Sequence, residues 1–523
     1  MRLPLRLLSP KARRRAQRGQ AIVLGALSFL VLALMVTLSF NLAHALRQKM
    51  GLQQHSDALA YSMAVLEARS LNYYAVSNRG IAASYVAMNS IHAYMAASSV
   101  TGEMMRASAK NFNAIALMEL AKCFSCYTCA IHCAHAAEAK KIAGEFDQAG
   151  QDYDQKVRSL ESSFNAAVRG VDLLVDNLHA SQREAHSQTL QAVRDGRSHG
   201  LSLLTQYSVP GASDLSQAVG GLNANEFNCA VDGMDCRNSV ENASPEALAR
   251  VMTEIANATR SDWSANRAYK GDRLGLMKPS YLHPDFFDEL RDIPDQGSYL
   301  VLEHEGTSKT VQDKSEVNSG GKQGGNSGTT SAAQEEGRIL HTWRHGFTWA
   351  SSYEAGVWSD ANGGGHEPDG AHSGSHNFEG VNANALSGCA RSGNCFMKFR
   401  ANPSSARDWG QPRVYSYLTR QLRVGDPKRA PWELNSSAQV RLDHGAQGSA
   451  SLTLAAQEGV AISKALVYYH RFGANGWREA PNLFSPYWRA KLHPISSDEA
   501  AEVLNAAGNT DASRLAQVPG VSL

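Results

Sequence analysis

Four cysteines fall within one short segment, Cys123-Phe-Ser-Cys126-Tyr-Thr-Cys129-Ala-Ile-His-Cys133, with the spacing C-x2-C-x2-C-x3-C. That spacing is the bacterial ferredoxin half-motif, in which thiolates hold iron and sulfide. In an oxidising compartment the same residues close as disulfides, and four cysteines leave three pairings open. No proline follows Cys133 and no second run of this kind occurs. The other cysteines lie as local pairs around short polar loops with a glycine, Cys229 with Cys236 and Cys389 with Cys395. An even set of this kind reads as disulfides, with a cluster on Cys123, Cys126, Cys129 and Cys133 as the competing reading.

A second set of potential ligands lies in the glycine-rich stretch from Ser359 to Gly380, where His366, His372 and His376 stand near Glu367 and Asp369, with His341 and His345 upstream. Imidazole and carboxylate are zinc ligands, but the spacing fits no structural zinc class, and the stretch reads as a solvated loop. G-x-S-x-G, P-loop, strand-linked G-x-G-x-x-G and H-E-x-x-H patterns are all absent. The sequence therefore gives no reason to expect an enzyme, a catalytic residue or a cofactor.

The elements that would carry these groups begin at a basic head. Arg2, Arg6, Lys11, Arg13, Arg14, Arg15 and Arg18 precede an uncharged run from Gln20 to Leu46, and no acidic residue occurs before Asp57. Net charge is +2 over 523 residues, so the body beyond the head is mildly acidic. Such a body lacks the broad basic surface that nucleic acid requires. The apolar run, at ~1.5 Å per residue, is long enough for a hydrocarbon core of ~30 Å, where only a helix or closed barrel satisfies its own backbone. The positive-inside rule then puts residues 1–19 in the cytoplasm, 20–46 across the membrane as a single pass, and the bulk on the extracytoplasmic side. Ala43-His44-Ala45 has the small-x-small form of a signal-peptide cleavage site, but the run exceeds the ~7 to 15 residues of such peptides.

Arg18-Gly19-Gln20-Ala21, the apolar span, Leu52-Gln53 and Asp57-Ala58-Leu59-Ala60 together resemble the N-terminal module of the TadE/TadG-like proteins of the tight-adherence (Flp) pilus. Ala68-Arg69-Ser70-Leu71-Asn72, Asn78-Arg79 and the late Asn482-Leu483-Phe484-Ser485-Pro486-Tyr487-Trp488-Arg489 are similar to larger members of that group. The resemblance implies a pilus-assembly component anchored in the bacterial inner membrane, with its bulk in the periplasm. Two departures narrow it. Cleavage after Gly19 would put Leu24 where pilin-like members carry a glutamate, and Asp214-Leu215-Ser216-Gln217-Ala218 lacks the second serine of the metal motif found in members with a von Willebrand A domain.

Beyond the membrane, residues 47–205 read as a helical hairpin stalk with the cysteine segment 123–133 at its tip. No proline occurs from Arg47 to Ala121, with a break expected at Asn78-Arg79-Gly80. The second helix carries a heptad seam of Phe146, Tyr153, Leu160, Ala167 and Leu174, interleaved with Val157, Phe164, Val171 and Leu178. The first helix, folded back antiparallel, or a second copy of the chain would cover that seam. Asp154, Lys156, Arg158 and Glu161 read as its solvated flank, and His92 as a packed histidine. Residues 206–264 form a connecting segment. Residues 265–523 are expected as a distal α+β or mostly β domain, with strands at Ser298–Glu303, Arg338–Trp349, Cys395–Arg400, Arg413–Leu422 and Ser463–Phe472 and mobile loops at 306–337 and 359–380. The segment around Trp477-Arg478-Glu479 and Tyr487-Trp488-Arg489 is expected to pack rather than bind. The function expected is structural: a membrane-anchored component contacting pilus or secretion-system proteins, with a membrane-tethered redox protein as the alternative.

Overall fold

The structure is a computed structural model that describes residues 10–125, 130–204, 209, 211–237, 240–265, 269–271, 299–310, 318–319, 322–323, 331–345, 349–360, 396–421, 438–443, 449–454, 458–473 and 476–518. It is built on one continuous helix, α1 (Pro10–Cys123), of 114 residues. Its early part is long and apolar enough to cross a membrane, and the apolar window is wholly unburied. Ile22 and Phe29, for example, are 73% and 74% exposed. The expected break at Asn78-Arg79-Gly80 is absent, because no residue there removes a backbone donor and both sides of the helix find cover. Gly80 meets Leu178 of the returning helix, and Asn78 is fully buried.

The return is made by α2 (Ala130–Asp195), antiparallel to α1. Ser70 faces Thr189, Tyr73 faces Ser181, Arg106 pairs with Asp154, and Glu119 meets His132. From the end of the apolar run to the tip, α1 rises roughly 115 Å at ~1.5 Å per residue. Gly102 lets the Tyr153 ring lie directly on α1 and Gly150 admits the Arg106 stem, so the two backbones approach closely at mid-stalk.

The packed rows of α2 do not follow seven residues. One runs Ile142, Tyr153, Phe164, Val175 and His186, and the other Phe146, Val157, Val168 and His179, each repeating every eleven. Eleven residues over three turns is ~3.67 per turn, close to the ~3.6 of a straight helix, whereas a heptad demands ~3.5. Over so long a helix the heptad row therefore drifts off the contact. Leu174, expected in the seam, is 50% exposed, Ala167 is exposed, and Val168 and Val175 take their places. Asp154, expected on the solvated flank, is buried and paired with Arg106. His92 is buried, with its ring edge-on to Phe164 at 5.3 Å.

Among the described residues, helices and strands that follow the hairpin pack back on α1 and α2. Helix α3 (Gln217–Cys229) crosses the end of α2 so closely that a Cβ on Gly220 would lie 1.9 Å from the Arg194 carbonyl oxygen. An antiparallel sheet of β5 (Arg413–Gln421), β6 (Glu458–Tyr469) and β7 (Trp488–Leu492), with β6 central, packs on α1 just past the apolar run. One core joins Leu52, Leu59, Met63 and Leu71 of α1 to Val414, Leu418, Ala465, Val467 and Trp488 of the sheet. A second core follows the hairpin toward its tip and includes α4 (Pro245–Thr259). Two short helices, α5 (Ser497–Ala506) and α6 (Thr510–Ala516), close the C-terminal end, α5 starting with a reciprocal Ser496–Glu499 capping box.

A further antiparallel sheet contains β1 (Tyr269–Gly271), β2 (Tyr299–Thr310), β3 (Ser331–His345) and β4 (Trp349–Asp360). Its register runs from Tyr299 opposite Thr342 to Thr310 opposite Ser331, so part of the expected mobile loop 306–337 is strand. Backbone pairing needs no apolar side chains, which is why composition hid it. Phe396–Arg400, within an expected strand, is irregular and contributes one bridge, Phe399 opposite Val231. Of the loop expected at 359–380, only Ser359 and Asp360 lie among the described residues, at the end of β4.

The eleven-residue rows separate two substitutions that a heptad would treat oppositely. Val168→Asn should destabilise by about 2 to 3 kcal/mol, whereas Leu174→Asn should change stability by less than about 0.5 kcal/mol. Thermal unfolding of both variants, followed by far-UV circular dichroism, checks the assignment.

Candidate functional site

Among the described residues, polar chemistry gathers at the tip of the hairpin and along the seam where the C-terminal sheet meets α1. At the tip Cys123 closes α1 and is joined to Cys133 in the first turn of α2, with Cα atoms 5.0 Å apart. Cys229 and Cys236 are joined likewise at 4.7 Å, tying the end of α3 to the loop that follows. Cys126, Cys129, Cys389 and Cys395 lie outside the described residues, as do His366, His372, His376, Glu367 and Asp369. Among the four cysteines of the tip, Cys123 and Cys133 are thus spent on each other.

One turn before the disulfide, Glu119 is buried and points at α2. Its Oε1 accepts from the Lys122 amine at 3.0 Å, while its Oε2 lies 2.6 Å from His132 Nδ1 and 3.6 Å from His135 Nδ1. His132 and His135 share a helix face because residues three apart are neighbours on a helix. Burial raises the Glu119 pKa, but hydrogen bonds from His132 and Lys122 and their charges outweigh it and hold the carboxyl below its usual value. The sequence signal for this group is His132-Cys-Ala-His135, which straddles the end of the cysteine segment, where the cysteine spacing is the stronger pattern.

The seam is built from amide side chains. Asn72 of α1 brackets Trp488, donating to its carbonyl at 2.9 Å and accepting from its N–H at 2.9 Å. Asn223 of α3 brackets Tyr415 in the same way, at 2.9 and 2.8 Å. Trp488 and Tyr415 sit on the two outer strands of the three-stranded sheet, so a helix amide satisfies backbone at each open edge. Asn257 of α4 repeats the device on Thr310 of β2 at 2.9 and 2.8 Å. Asn78 donates to the carbonyls of Met397 at 2.6 Å and Leu483 at 2.7 Å, and Gln182 of α2 donates to Asn78 and Ser77. Nearer the apolar run, Gln53 donates to the Ile462 carbonyl at 3.0 Å, and Ser56 and Asp57 bond Ser463.

Residues separated by about four hundred positions thus meet. Leu52-Gln53, Asp57, Asn72 and Asn78 lie against the sheet and the late segment Asn482–Arg489, where Trp488 also donates from Nε1 to the Asn482 carbonyl at 3.0 Å. Trp488 is buried against Phe399 and Tyr469, and Arg471 lies over the Tyr487 ring at 4.3 Å while facing Glu479.

Well past the apolar run, Glu67 of α1 is fully buried and neither carboxylate oxygen has a hydrogen-bond partner. Burial, with the Glu226 charge added, pushes its pKa well above the ordinary carboxylate value. On α2, burial pushes His179 down to about 4, with the Arg183 charge acting the same way. His186 is also lowered by burial; it stacks on Phe227 at 4.7 Å and lies within hydrogen-bond distance of Tyr74 and Asn228. Burial thus disfavours the charged form of each of these groups. An open cleft of about 1060 Å³ is lined by Arg194, Arg197 and Arg237 together with Asp195, Asp214 and Asp235, so its charge is balanced. Compared with known proteins, the chain matches no family model, no curated protein and no solved structure.

Two outcomes follow from the seam. Asn72→Ala leaves the Trp488 N–H and C=O without their side-chain partner and should cost about 2 to 4 kcal/mol, read as earlier thermal unfolding with faster proteolysis of the C-terminal segment. Glu67, with its folded pKa raised, stabilises fully at acidic pH and loses that contribution as pH rises through the folded pKa. Glu67→Gln should therefore raise the melting temperature relative to the parent at alkaline pH, with a smaller difference in mild acid. Parallel melts across pH give the comparison.

Proposed function

We propose that the chain is a membrane-anchored structural component of a Tad-type pilus or a related secretion system, with an extracytoplasmic interaction domain and no catalytic role. The observation that carries this reading is convergence. The segments that resemble the TadE/TadG-like group, Gln53, Asp57, Asn72 and Asn78 at one end and Asn482–Arg489 at the other, form one buried contact. Several residues underlying the resemblance thus hold the C-terminal sheet to the helix beside the apolar run. A protein made this way anchors through α1, holds a platform near the bilayer, and extends the hairpin away from it.

Polarity belongs to the same proposal. The seven basic residues before the apolar run hold the N-terminus in the cytoplasm, and the disulfides at Cys123–Cys133 and Cys229–Cys236 are those of an oxidising exterior. The partners are pilus or secretion-system proteins on that side of the inner membrane, not nucleic acid.

A periplasm-dependent phosphatase fused to the C-terminus should be active in cells, and a fluorescent protein that matures only in the cytosol should stay dark at the same position. The reverse pattern overturns the polarity. Crosslinking in the native membrane should capture pilus or secretion-system subunits, and capture of none of them would remove the assembly role.

A further inference from the structure

The three side chains at the hairpin tip converge as ligands do. One donor atom from each of Glu119, His132 and His135 lies within 4.8 Å of the other two, although they come from helices running in opposite directions. Glu119 and His135 are buried, and His132 is partly exposed, so the group opens to solvent on one side only. An ordinary ion pair needs one cation for one carboxylate, and Lys122 already supplies it on Oε1. The two imidazoles approach the other oxygen, Oε2.

We propose that Glu119, His132 and His135 bind a divalent transition ion of the zinc class. Two imidazoles and a carboxylate are a borderline donor set that suits Zn2+, and three protein ligands leave one position for water. The ion takes the place now bridged by the His132–Glu119 hydrogen bond. Each coordinating nitrogen gives up its proton or passes it to the other ring nitrogen, since metal ligands must be deprotonated. Lys122 stays on Oε1 and orients the carboxylate, as hydrogen-bonded partners of metal ligands commonly do.

The surroundings preorganise the group. The Cys123–Cys133 disulfide sits beside it, fixes the two helix ends at 5.0 Å between Cα atoms and places Cys133 next to His132. Phe112 stacks on Phe146 further down the stalk, so the helices are held together on both sides of the three ligands. A bound ion would cross-link α1 and α2 at the end most prone to fray.

The test is zinc titration by calorimetry on the full-length protein in detergent, with its disulfides intact. The parent should bind one more Zn2+ per chain than a His132→Gln/His135→Gln variant, a difference that the remaining histidines cannot produce. Glu119→Gln keeps the size of the side chain and should weaken that one site by at least about 10-fold, since loss of a mere supporting partner already costs 10- to 100-fold. Circular dichroism establishes that both variants keep their helices. Zn2+ should also raise the melting temperature of the parent more than that of either variant. Equal stoichiometry and equal affinity in all three proteins would overturn the site.

Discussion

A helix that continues for 114 residues must be satisfied by a different environment at each stage of its length. α1 does so in sequence. After its basic first turns comes the apolar run that starts at Ala21, the next part carries Leu52, Leu59, Met63 and Leu71 toward the sheet, and the last carries Met88, Met95, Phe112 and Ile115 toward α2 and α4. The rest of the chain is arranged by what those faces need. The three-stranded sheet of β5, β6 and β7 is bound to the part of α1 nearest the apolar run, at the base of the hairpin.

Burying a sheet edge against a helix leaves backbone groups that no neighbouring strand can pair. Asn72, Asn223 and Asn257 each meet this demand with one amide that donates and accepts at a single residue of the strand. Such contacts are weak in area but sensitive to loss, since an unpaired buried backbone group costs about 1 to 3 kcal/mol. They make register, not hydrophobicity, the feature that fixes how the sheet sits on the helix. The nearby ion network works in the same sense: Arg413 joins Glu226 of α3 to Glu499 of α5, and Lys464 reaches both Glu499 and Asp408.

The hairpin interior also carries polar groups. Glu67, His179 and His186 occupy positions where a purely structural stalk could hold apolar residues, and burial disfavours the charged form of all three. His179 and His186 continue the two eleven-residue rows as polar members, before Ala192 and Val193 return the contact to apolar packing against α3 and the sheet. The tip, by contrast, carries a covalent link and a charged cluster.

The sequence by itself determined those features that depend on local chemistry: the apolar run, the proline-free helices, the antiparallel return, the Cys229–Cys236 loop and strands such as Arg413–Gln421. Each rests on composition or on spacing within a few turns. Tertiary structure decided the rest. Whether seven or eleven residues describe α2 depends on how straight two long helices run together, which moved Leu174 out of the contact and Val168 in. The strand continuing through Gly306 was hidden because its pairing is made by backbone rather than by side-chain type. Asn72 and Trp488 were visible as separate residues, but nothing local says that one brackets the other. Glu119, fourteen or so positions from the histidines, became their neighbour only because the chain reverses at the disulfide and brings opposite helix ends together.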